Sequence, residues 1–574
     1  MQRRLVPDPT PTEAVRAAYR RFAEYADPAL FISLKPEAAA LAEAAALEAE
    51  GPAGKPLFGL TLAVKDNIDV AGLPTTAACP AFTYRPARSA FVVERLVAAG
   101  AIVIGKTNLD QFATGLVGVR SPCGVPRNAL RPDLIPGGSS SGSAVAVAAG
   151  IVDFSLGTDT AGSGRIPAGM NGIVGLKPTL GLLSATGMVP ACRTLDTMSV
   201  FARDVDLALR VTEIAAAYDE ADAYSRKLPV PAQGAAPPSL RIGVPRPGQR
   251  QFFGDVAAEA AYAADLERLA AVGATIIELD FEPLHAVARL LYQGPWVAER
   301  YAATKTLIES DPAAFHPVTL QIIGAAKGLT AVSAFEAMYR LADLKRQTLP
   351  MLMSVDCLAV PTVPRMYTVA EVEADPIAVN SNLGTYTNFV NLLDLSAISV
   401  PVGKRSDGLP SSLTFIGPAG ADSQLAAIGA AAMGAGLAGP LRAPPGRIEI
   451  AVIGAHLSGL PLNHELTALG GAFLRTVATT PDYRLYALPD TTPPKPGLLR
   501  VGKGQGVSIA AEIWSLDPAG FGTFVAKIPA PLGIGTLSFA DGTAAKGFLV
   551  EAEAVSAARD ISGFGGWRAF LAAR

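Results

Sequence analysis

The segment PGGSSSGSAVAVAAGIVDFSLGTDTAGSGRIPA, residues 136–168, organises the rest of this chain. Two loops rich in serine and glycine, residues 137–143 and 160–164, flank a run of small and apolar residues. The small residues predict a helix over about residues 141–150, and the apolar run predicts a strand over about residues 151–156. Because both loops border one helix–strand unit, we expect them to meet in space.

Glycine-rich loops let the backbone approach a ligand closely and can direct several N–H groups at one point. A flexible Gly/Ser linker is the alternative interpretation, but linkers are not interrupted by apolar runs typical of buried elements. The segment therefore favours a serine hydrolase site built on backbone amides.

Outward from this segment, helical and strand patterns alternate over about 400 residues. Together they predict an α/β fold with a mixed, largely buried central sheet covered by helices. Helices are predicted over residues 12–25, 36–48, 89–99, 108–113, 204–217, 256–271, 282–305, 331–353 and 423–433. Strands are predicted over residues 60–64, 101–104, 240–244, 275–279, 357–360, 397–400 and 412–415.

The sequence LRAPPG, residues 441–446, reads as a linker. It divides the chain into a domain over residues 1–440 and a strand-rich segment over residues 447–574. The second segment has an ordinary domain length and predicts a small α+β domain.

Composition excludes several classes of protein. The 574 residues are 50% hydrophobic and 17% charged, and the net charge of −3 gives no electrostatic footprint for nucleic acid. Apolar stretches are interrupted before about 18 residues, so we predict no membrane span, and the N-terminal residues lack the apolar region of a secretory signal. The four cysteines are scattered without a CxxC pair, which predicts free thiols in a reducing cytoplasm and no zinc site. We expect no other metal and no cofactor.

Two common motifs match the sequence by letter only. Residues 100–107, GAIVIGKT, fit the P-loop pattern, but the residues between the glycines form an apolar strand whose amides are needed in a sheet. Residues 138–142, GSSSG, fit the nucleophile elbow centred on Ser140, but the two prolines in residues 131–136 do not form the buried strand that an elbow requires. An α/β-hydrolase stays open as the less favoured alternative.

A serine nucleophile needs a base, and none of the four histidines (His285, His316, His456, His464) is near the serine loops in sequence. The best local candidate is Lys65, which directly follows a buried-type strand. Burial lowers the pKa of a lysine toward neutrality, as a general base requires. A surface lysine paired with Asp66 is the alternative.

Four segments together resemble the amidase signature family: TLAVKDNIDV (residues 61–70), GAIVIGKTNLDQFATG (100–115), PGGSSSGSA (136–144) and GTDTAGSGRIPA (157–168). The resemblance covers most of residues 50–435 and implies the amidase signature fold. It also implies a Ser–cis-Ser–Lys triad. Position by position, Lys65 matches the base, Ser139 the bridging serine that follows a cis peptide bond, and Ser163 the acylated nucleophile.

The same resemblance assigns the oxyanion hole to the backbone amides of Thr160, Ala161 and Gly162, beside that of Ser163. It also predicts that Asp159 and Arg165 form an ion pair that braces this loop. Two small departures, GSSSGS for GSSGGS and TAGSGR for TGGSIR, leave all these amides in place. Gly164 would leave space beside Ser163.

Within the family the sequence is most similar to the allophanate hydrolase subgroup, through TAGSGRIPA and the segments over residues 291–303 and 361–401. This implies hydrolysis of allophanate to ammonia and carbon dioxide in urea degradation. Tyr292 and Arg300 match substrate-binding residues, and their eight-residue spacing on one helix would put both on one face. A structural arginine paired with Glu299 is the alternative. As partners we expect a urea carboxylase in the pathway and a second copy of the chain in a homodimer.

Residues 451–466, AVIGAHLSGLPLNHEL, resemble the γ-glutamylcyclotransferase-like domain appended in that subgroup. His456 and His464 could serve decarboxylation of the first product, or they could satisfy hydrogen bonds of the core. Two other functions stay open for the chain: an amidase of another small substrate, and an amidotransferase subunit that delivers ammonia to a partner.

Overall fold

The computed structural model describes residues 9–434 and 441–573. The first eight residues and the predicted domain end at residue 440 lie outside the described part. The helices of the first part are α1 (Pro11–Tyr25), α2 (Glu37–Glu50), α3 (Phe91–Ala98), α4 (Ser141–Ala148), α5 (Ile166–Asn171), α6 (Val205–Ala215), α7 (Val256–Ala271), α8 (Glu282–Gln293), α9 (Val297–Ser310), α10 (Pro317–Gly324), α11 (Ala331–Met353), α12 (Val369–Ala374), α13 (Ala378–Leu383), α14 (Asn388–Leu392) and α15 (Asp422–Ala432).

The strands of the first part are β1 (Phe31–Leu34), β2 (Thr61–Lys65), β3 (Ile102–Thr107), β4 (Phe154–Asp159), β5 (Val174–Lys177), β6 (Thr197–Ala202), β7 (Leu240–Pro245), β8 (Ala274–Leu279), β9 (Cys357–Pro361), β10 (Leu395–Lys404) and β11 (Pro410–Pro418). They form one sheet in the order β1-β3-β2-β4-β6-β5-β10-β11-β9-β7-β8. The sheet is mixed, with parallel pairing of β2 to β3 and β4 and of β7 to β8 and β9. The predicted fold class, a mixed central sheet covered by helices, is confirmed.

The last part contains strands β12 (Ile448–Val452), β13 (Ala472–Ala478), β14 (Tyr483–Ala487), β15 (Pro496–Arg500), β16 (Ala510–Leu516), β17 (Leu532–Ser538), β18 (Ala544–Val550) and β19 (Arg559–Asp560), with helices α16 (His464–Thr467), α17 (Pro518–Val525) and α18 (Trp567–Ala572). Five strands pair in the order β13-β16-β12-β18-β17, and β15-β14-β19 form a smaller sheet. This part has its own apolar core around Trp514. The predicted small α+β domain is confirmed.

The two parts touch along an extended segment that joins α6 to β7. The backbone N–H of Ala235 donates to the carbonyl of Phe473 at 2.7 Å, and Arg447 donates to the carbonyl of Val230. The second part therefore rests on a loop of the first.

Three element predictions were wrong in detail. Residues 108–113 contain only a short 3₁₀ turn, Gln111–Ala113, because Phe112 and Ala113 both have positive φ. The helix predicted over residues 282–305 is two helices, since Pro295 lacks the N–H that a continuous helix would need there. The strand predicted from residue 151 begins at Phe154 and runs to Asp159.

Candidate active site

The sheet itself brings the two ends of the site together. Strands β2 and β4 are parallel neighbours, with Val64 opposite Leu156. Parallel strands end at the same edge of a sheet, so Lys65 at the end of β2 lies beside the loop that follows β4. That loop is residues 160–165, the second serine-and-glycine loop.

Three polar side chains form a continuous row at this edge. The Nζ atom of Lys65 lies 2.8 Å from the Oγ atom of Ser139, which lies 2.9 Å from the Oγ atom of Ser163. Lys65 Nζ also donates to the hydroxyl of Thr158 at 2.7 Å. All of these side chains are buried, and the peptide bond before Ser139 is cis. The structure therefore places the three predicted triad residues within hydrogen-bonding distance in the predicted order.

Asp110 holds the first loop against the rest of the site. Its carboxylate accepts from the backbone N–H groups of Gly118 and Arg120, each at 2.9 Å, and its own N–H donates to the carbonyl of Ser139. A Cβ atom at Gly138 would lie 2.1 Å from this carboxylate. Residue 138 must therefore be glycine for the loop to lie where Ser139 reaches both neighbours.

Burial lowers the pKa of Lys65 to about 7, although the charges of Asp110, Asp196 and Asp159 act in the opposite direction. A substantial fraction of Lys65 is thus neutral near pH 7 and can accept a proton. Asp66 pairs with Lys106 at 3.1 Å, so the alternative in which it pairs with Lys65 is wrong.

The second loop is braced by the predicted ion pair, in which Arg165 and Asp159 contact at 2.9 Å and are both fully buried. Burial opposes ionisation of Asp159, but the charge of Arg165 and backbone N–H donors keep the pKa of this carboxyl below its usual value. One of those donors is the amide of Gly162, at 3.0 Å from the carboxylate.

That contact corrects the predicted oxyanion hole. Because the N–H of Gly162 is directed at a buried carboxylate that needs donors, it is not available to a substrate oxygen. The N–H groups of Thr160, Ala161 and Ser163 donate to no acceptor within the described residues. They are the amides left to stabilise an oxyanion.

One further sequence interpretation changes with the geometry, whereas the two motifs that match by letter only have structural roles, as predicted. A Cβ atom at Gly164 would lie 2.5 Å from the Cβ of Ser199 on β6, so the space there is filled by the sheet and does not belong to a substrate. Ser140, the centre of the elbow motif, donates to the carbonyl of Thr158 and is held by β4. Residues 102–107 of the P-loop pattern form β3, inside the sheet, so they do not form a phosphate-binding loop.

Tyr292 and Arg300 meet, but not as predicted. They lie on different helices, α8 and α9, so they do not share a helix face. The break between the helices brings the Arg300 guanidinium over the Tyr292 ring, 5.8 Å from its centre. Glu299 accepts from Thr194, so the alternative in which it pairs with Arg300 is also wrong.

Arg300 is buried, and its Nη1 donates to the carbonyl of Ala113 at 3.1 Å. Its charge acts on the pKa of both Lys65 and Asp196, which places it in the same electrostatic environment as the row of side chains. A buried cation beside this row is suited to hold a small anion.

Sequence reasoning missed Asp196 and Arg120. Asp196 accepts from the hydroxyl of Thr160 and from the N–H groups of Ala191 and Cys192, and burial raises its pKa to about 6. Arg120 is buried with no hydrogen-bond partner for its Nε among the described residues. Both are distant in sequence from the serine loops, and no motif signalled them.

The last part of the chain contains a separate cavity of about 280 Å³ that includes His456. The His456 ring stacks on Phe548, and its Nε2 lies 3.0 Å from a carboxylate oxygen of Glu465. Burial lowers the pKa of His456, and Lys495 and Lys527 line the same cavity. His464 is not with them, since it lines a different groove.

Several kinds of site are not found in residues 9–434 and 441–573. No group of three or more His, Cys, Asp or Glu side chains there could hold a metal ion. The four cysteines are free thiols. No single helix in that part of the chain is long and apolar enough to cross a membrane; one pair of helices bent by 100°, Pro317–Gly328 with Ala331–Met353, meets the length and composition test only when joined.

Family models match almost the whole described chain. The amidase family model matches residues 13–426, and the model of the allophanate hydrolase C-terminal domain matches residues 448–572.

Individual relatives agree with these matches. The chain is 43% identical to the urea amidolyase of Lachancea kluyveri over 90% of its own length, but it spans only 30% of that relative. It is 36% identical to one subunit of the glutamyl-tRNA(Gln) amidotransferase of Chloroflexus aggregans, over 67% of the chain and 85% of the relative. The solved structure of Kluyveromyces lactis allophanate hydrolase superimposes with a TM-score of 0.76 at 40% identity, covering 98% of this chain and 97% of that one.

Proposed function

Because the chain belongs to the amidase family and ends in an allophanate hydrolase C-terminal domain, we propose that it hydrolyses the terminal amide of allophanate. The observation that carries the proposal is the row from Lys65 Nζ through Ser139 Oγ to Ser163 Oγ. It supplies a nucleophile, a proton carrier and a base without a histidine.

The proposed reaction is an acyl transfer to Ser163. Neutral Lys65 accepts a proton from Ser139 while Ser139 accepts one from Ser163, and the Ser163 oxygen attacks the amide carbon. The free amides of Thr160, Ala161 and Ser163 hold the oxyanion; each such donor contributes about 3–4 kcal/mol to the transition state. The proton returns to the leaving nitrogen as ammonia departs, and water then cleaves the ester by the same route.

Arg300 is the proposed handle for the substrate carboxylate. Allophanate offers little apolar surface, so its binding depends on charge. The Nε and Nη2 groups of Arg300 donate to no acceptor within the described residues, and two such parallel donors fit a carboxylate. The Tyr292 ring lies under the Arg300 guanidinium and would help to hold it in position.

The test is ammonia release from allophanate, measured beside malonamide, urea and a larger amide. We expect allophanate to be strongly preferred. Ser163→Ala should lower kcat at least about 10⁴-fold, whereas Ser140→Ala, which removes a hydroxyl bound to the backbone, should retain most activity. A Ser163→Ala variant with near wild-type turnover would overturn the proposed nucleophile.

Two alternatives remain. An amidase of another small substrate would turn over malonamide as well as allophanate. An amidotransferase subunit, suggested by the 36% identity to one, would release ammonia only with its partner present. Activity of the isolated chain on allophanate excludes the amidotransferase subunit, and a strong preference for allophanate over malonamide excludes the general amidase.

A second candidate function concerns the His456 cavity. Removing one ammonia from allophanate leaves a nitrogen that carries two carboxylates, and loss of carbon dioxide from it requires a proton at that nitrogen. His456 could deliver the proton, with Glu465 orienting its ring and Lys495 and Lys527 attracting the dianion. We propose no such role for His464.

The setting of the reaction is part of the same proposal. The chain would act in the cytoplasm, to which its free thiols are suited. A urea carboxylase would supply allophanate, since the chain spans only 30% of a urea amidolyase. The division into an amidase domain ending at residue 440, a linker over residues 441–446 and a C-terminal domain is also proposed, as is a homodimer.

A further inference from the structure

Asn391 is a buried amide side chain that contacts the end of β4 from 232 residues farther along the chain. It lies in α14, whose five residues are all buried. The start of this helix packs directly on the loop after β4, since a Cβ atom at Gly162 would lie 2.5 Å from the Oγ1 atom of Thr387. A polar side chain is costly to bury unless it is hydrogen-bonded, so its partners indicate what it does.

The side chain of Asn391 uses both of its N–H donors on backbone carbonyls. Its Nδ2 atom donates to the carbonyl of Asp159 and to the carbonyl of Leu195, each at 2.9 Å. Its Oδ1 atom accepts from the Nη2 atom of Arg165 at 3.3 Å. Asn391 therefore joins the loop after β4 to the segment that precedes β6.

The first of these contacts sets the direction of a free N–H group. The peptide bond between Asp159 and Thr160 is trans, and in a planar trans peptide the C=O and N–H groups point in opposite directions. Because the Asp159 carbonyl is directed at Asn391, the Thr160 N–H points away from it. This N–H is one of the three loop amides that donate to no acceptor within the described residues.

The second contact acts on the side chain of Thr160. The Leu195 carbonyl belongs to the peptide that continues into Asp196, and the carboxylate of Asp196 accepts from the Thr160 hydroxyl. Asn391 and Asp196, the Thr160 clamp, thus hold this residue both by the peptide before it and by its hydroxyl. A residue held at two points cannot turn its N–H aside without breaking buried hydrogen bonds.

We propose that Asn391 is a positioning residue for the oxyanion hole, which directs the Thr160 N–H at the oxygen that becomes negative when Ser163 attacks. The inference rests on the proposed acyl transfer and adds to it a residue that touches neither the substrate nor the reacting atoms. A donor that is directed before the reaction stabilises the oxyanion without reorganisation. The clamp should therefore act on the transition state and not on substrate binding.

Asn391→Leu, which removes both donors, tests the clamp. We expect kcat for allophanate and for malonamide to fall by the same factor, about 10²-fold or more, the usual effect of losing one oxyanion donor. KM should change little for either amide, because the ground-state contacts remain. The equal loss on both substrates distinguishes Asn391 from Arg300, whose substitution should affect allophanate more.

Asn391→Asp separates the carbonyl contacts from the contact with Arg165. It keeps the shape of the side chain and an acceptor for the guanidinium, but it has no N–H donors when ionised. We expect a loss of kcat similar to that of Asn391→Leu. This second variant also answers the question if the leucine variant does not fold.

Binding of methylboronic acid provides a measurement that needs no turnover. A boronic acid adds to a serine oxygen, and the tetrahedral adduct resembles the transition state of acyl transfer. Isothermal titration calorimetry should show that its Kd rises in both Asn391 variants by about the factor by which kcat falls. A purely structural role would lower the temperature of unfolding without this parallel loss.

Asn128 provides the matched control. It is similarly buried, and its Nδ2 atom also donates to two carbonyls, those of Ile135 and Met170, each at 3.0 Å. The Ile135 carbonyl precedes Pro136, which has no N–H, and neither carbonyl precedes a free amide of the loop after β4. Asn128→Leu should lower the temperature of unfolding, yet keep most of its kcat and its affinity for methylboronic acid.

Three results would overturn the role of Asn391 without affecting the proposed function. These are wild-type kcat in the Asn391 variants, a loss of kcat with unchanged boronate affinity, and an Asn128→Leu variant as impaired as Asn391→Leu. A wild type that releases ammonia from neither amide would instead contradict the proposed function. Boronate binding by the wild type and the variants would then still decide whether Asn391 positions the oxyanion hole.

Discussion

At the residue scale, burial gives Lys65 a property that an exposed lysine lacks. Its amine has two hydroxyl partners, Ser139 and Thr158, and no direct carboxylate partner among the described residues. Hydroxyls stabilise the charged amine less than a carboxylate would, so desolvation dominates and the pKa falls to about 7. The same burial that is unfavourable for a cation thus produces a base that works near neutral pH.

This pKa predicts the pH dependence of the reaction. The neutral amine is the active form, so kcat/KM for allophanate should rise with pH through about 7 and then level off. Ser140→Ala should keep this profile, and Lys65→Ala should lose most of kcat at every pH. Stopped-time ammonia assays from pH 5 to 9 measure it; a flat profile with an active Lys65→Ala variant would contradict the assignment of the base.

Arg300 predicts a difference between substrates. Lysine cannot reproduce the two parallel donors of the guanidinium, so Arg300→Lys should raise KM for allophanate by about tenfold or more. The row ending at Ser163 is unaltered, so kcat/KM for neutral malonamide should fall much less. Steady-state kinetics on both substrates decide the matter, and equal losses would assign Arg300 to the fold instead of the substrate.

At the element scale, the loop after β4 depends on a buried ion pair. The carboxylate of Asp159 accepts from two amides of the loop, those of Gly162 and Gly164, and from the Arg165 guanidinium. These contacts fix the loop and leave the amides of Thr160, Ala161 and Ser163 without an acceptor among the described residues. The last residue of β4, Asp159, therefore holds the loop in place, and the loop provides the N–H donors.

Asp159→Asn tests how much this ion pair contributes to the free energy of unfolding. It leaves the Arg165 cation buried without a counterion, which we expect to lower the free energy of unfolding by about 3–5 kcal/mol. The matched control is Asp133→Asn in the exposed pair with Arg131, also at 2.9 Å, which should change the free energy of unfolding far less because water screens the pair. Urea denaturation measures both. Similar small losses for the two variants would show that the loop does not depend on this pair.

At the scale of the whole molecule, the two candidate sites are built on different sheets. The row at Lys65 lies at the edge of the eleven-stranded sheet, and the His456 cavity belongs to the C-terminal part. A substitution in one should therefore leave the chemistry of the other intact.

His456→Ala in the full chain tests this separation. We expect release of the first ammonia to be unchanged and formation of carbon dioxide to slow by about 10²-fold or more, the usual effect of losing a general acid. His464→Ala, which removes a histidine outside the cavity, should change neither rate. Loss of the first ammonia release in His456→Ala would mean that the two sites are coupled.

The sequence predicted the class of fold, and through the resemblance to the amidase signature family it predicted the residues of the row. Paired glycines and serines at 137–143 and 160–164, with a lysine directly after an apolar strand, are local patterns, and local patterns are readable because they depend on neighbours in the chain. The alternation of helices and strands likewise sufficed to predict a mixed sheet covered by helices and a second small domain.

Tertiary structure alone decided which groups are free to act. That Gly162 donates to Asp159, that Tyr292 reaches Arg300 across a helix break, and that His464 is separated from His456 all depend on contacts between distant segments. The pKa of Lys65 is likewise set by burial, with opposing contributions from Asp110 and Asp196, far away in sequence. Hydrogen bonds and electric fields act through space, so a linear pattern can name the residues of a site but not their charge or their free donors.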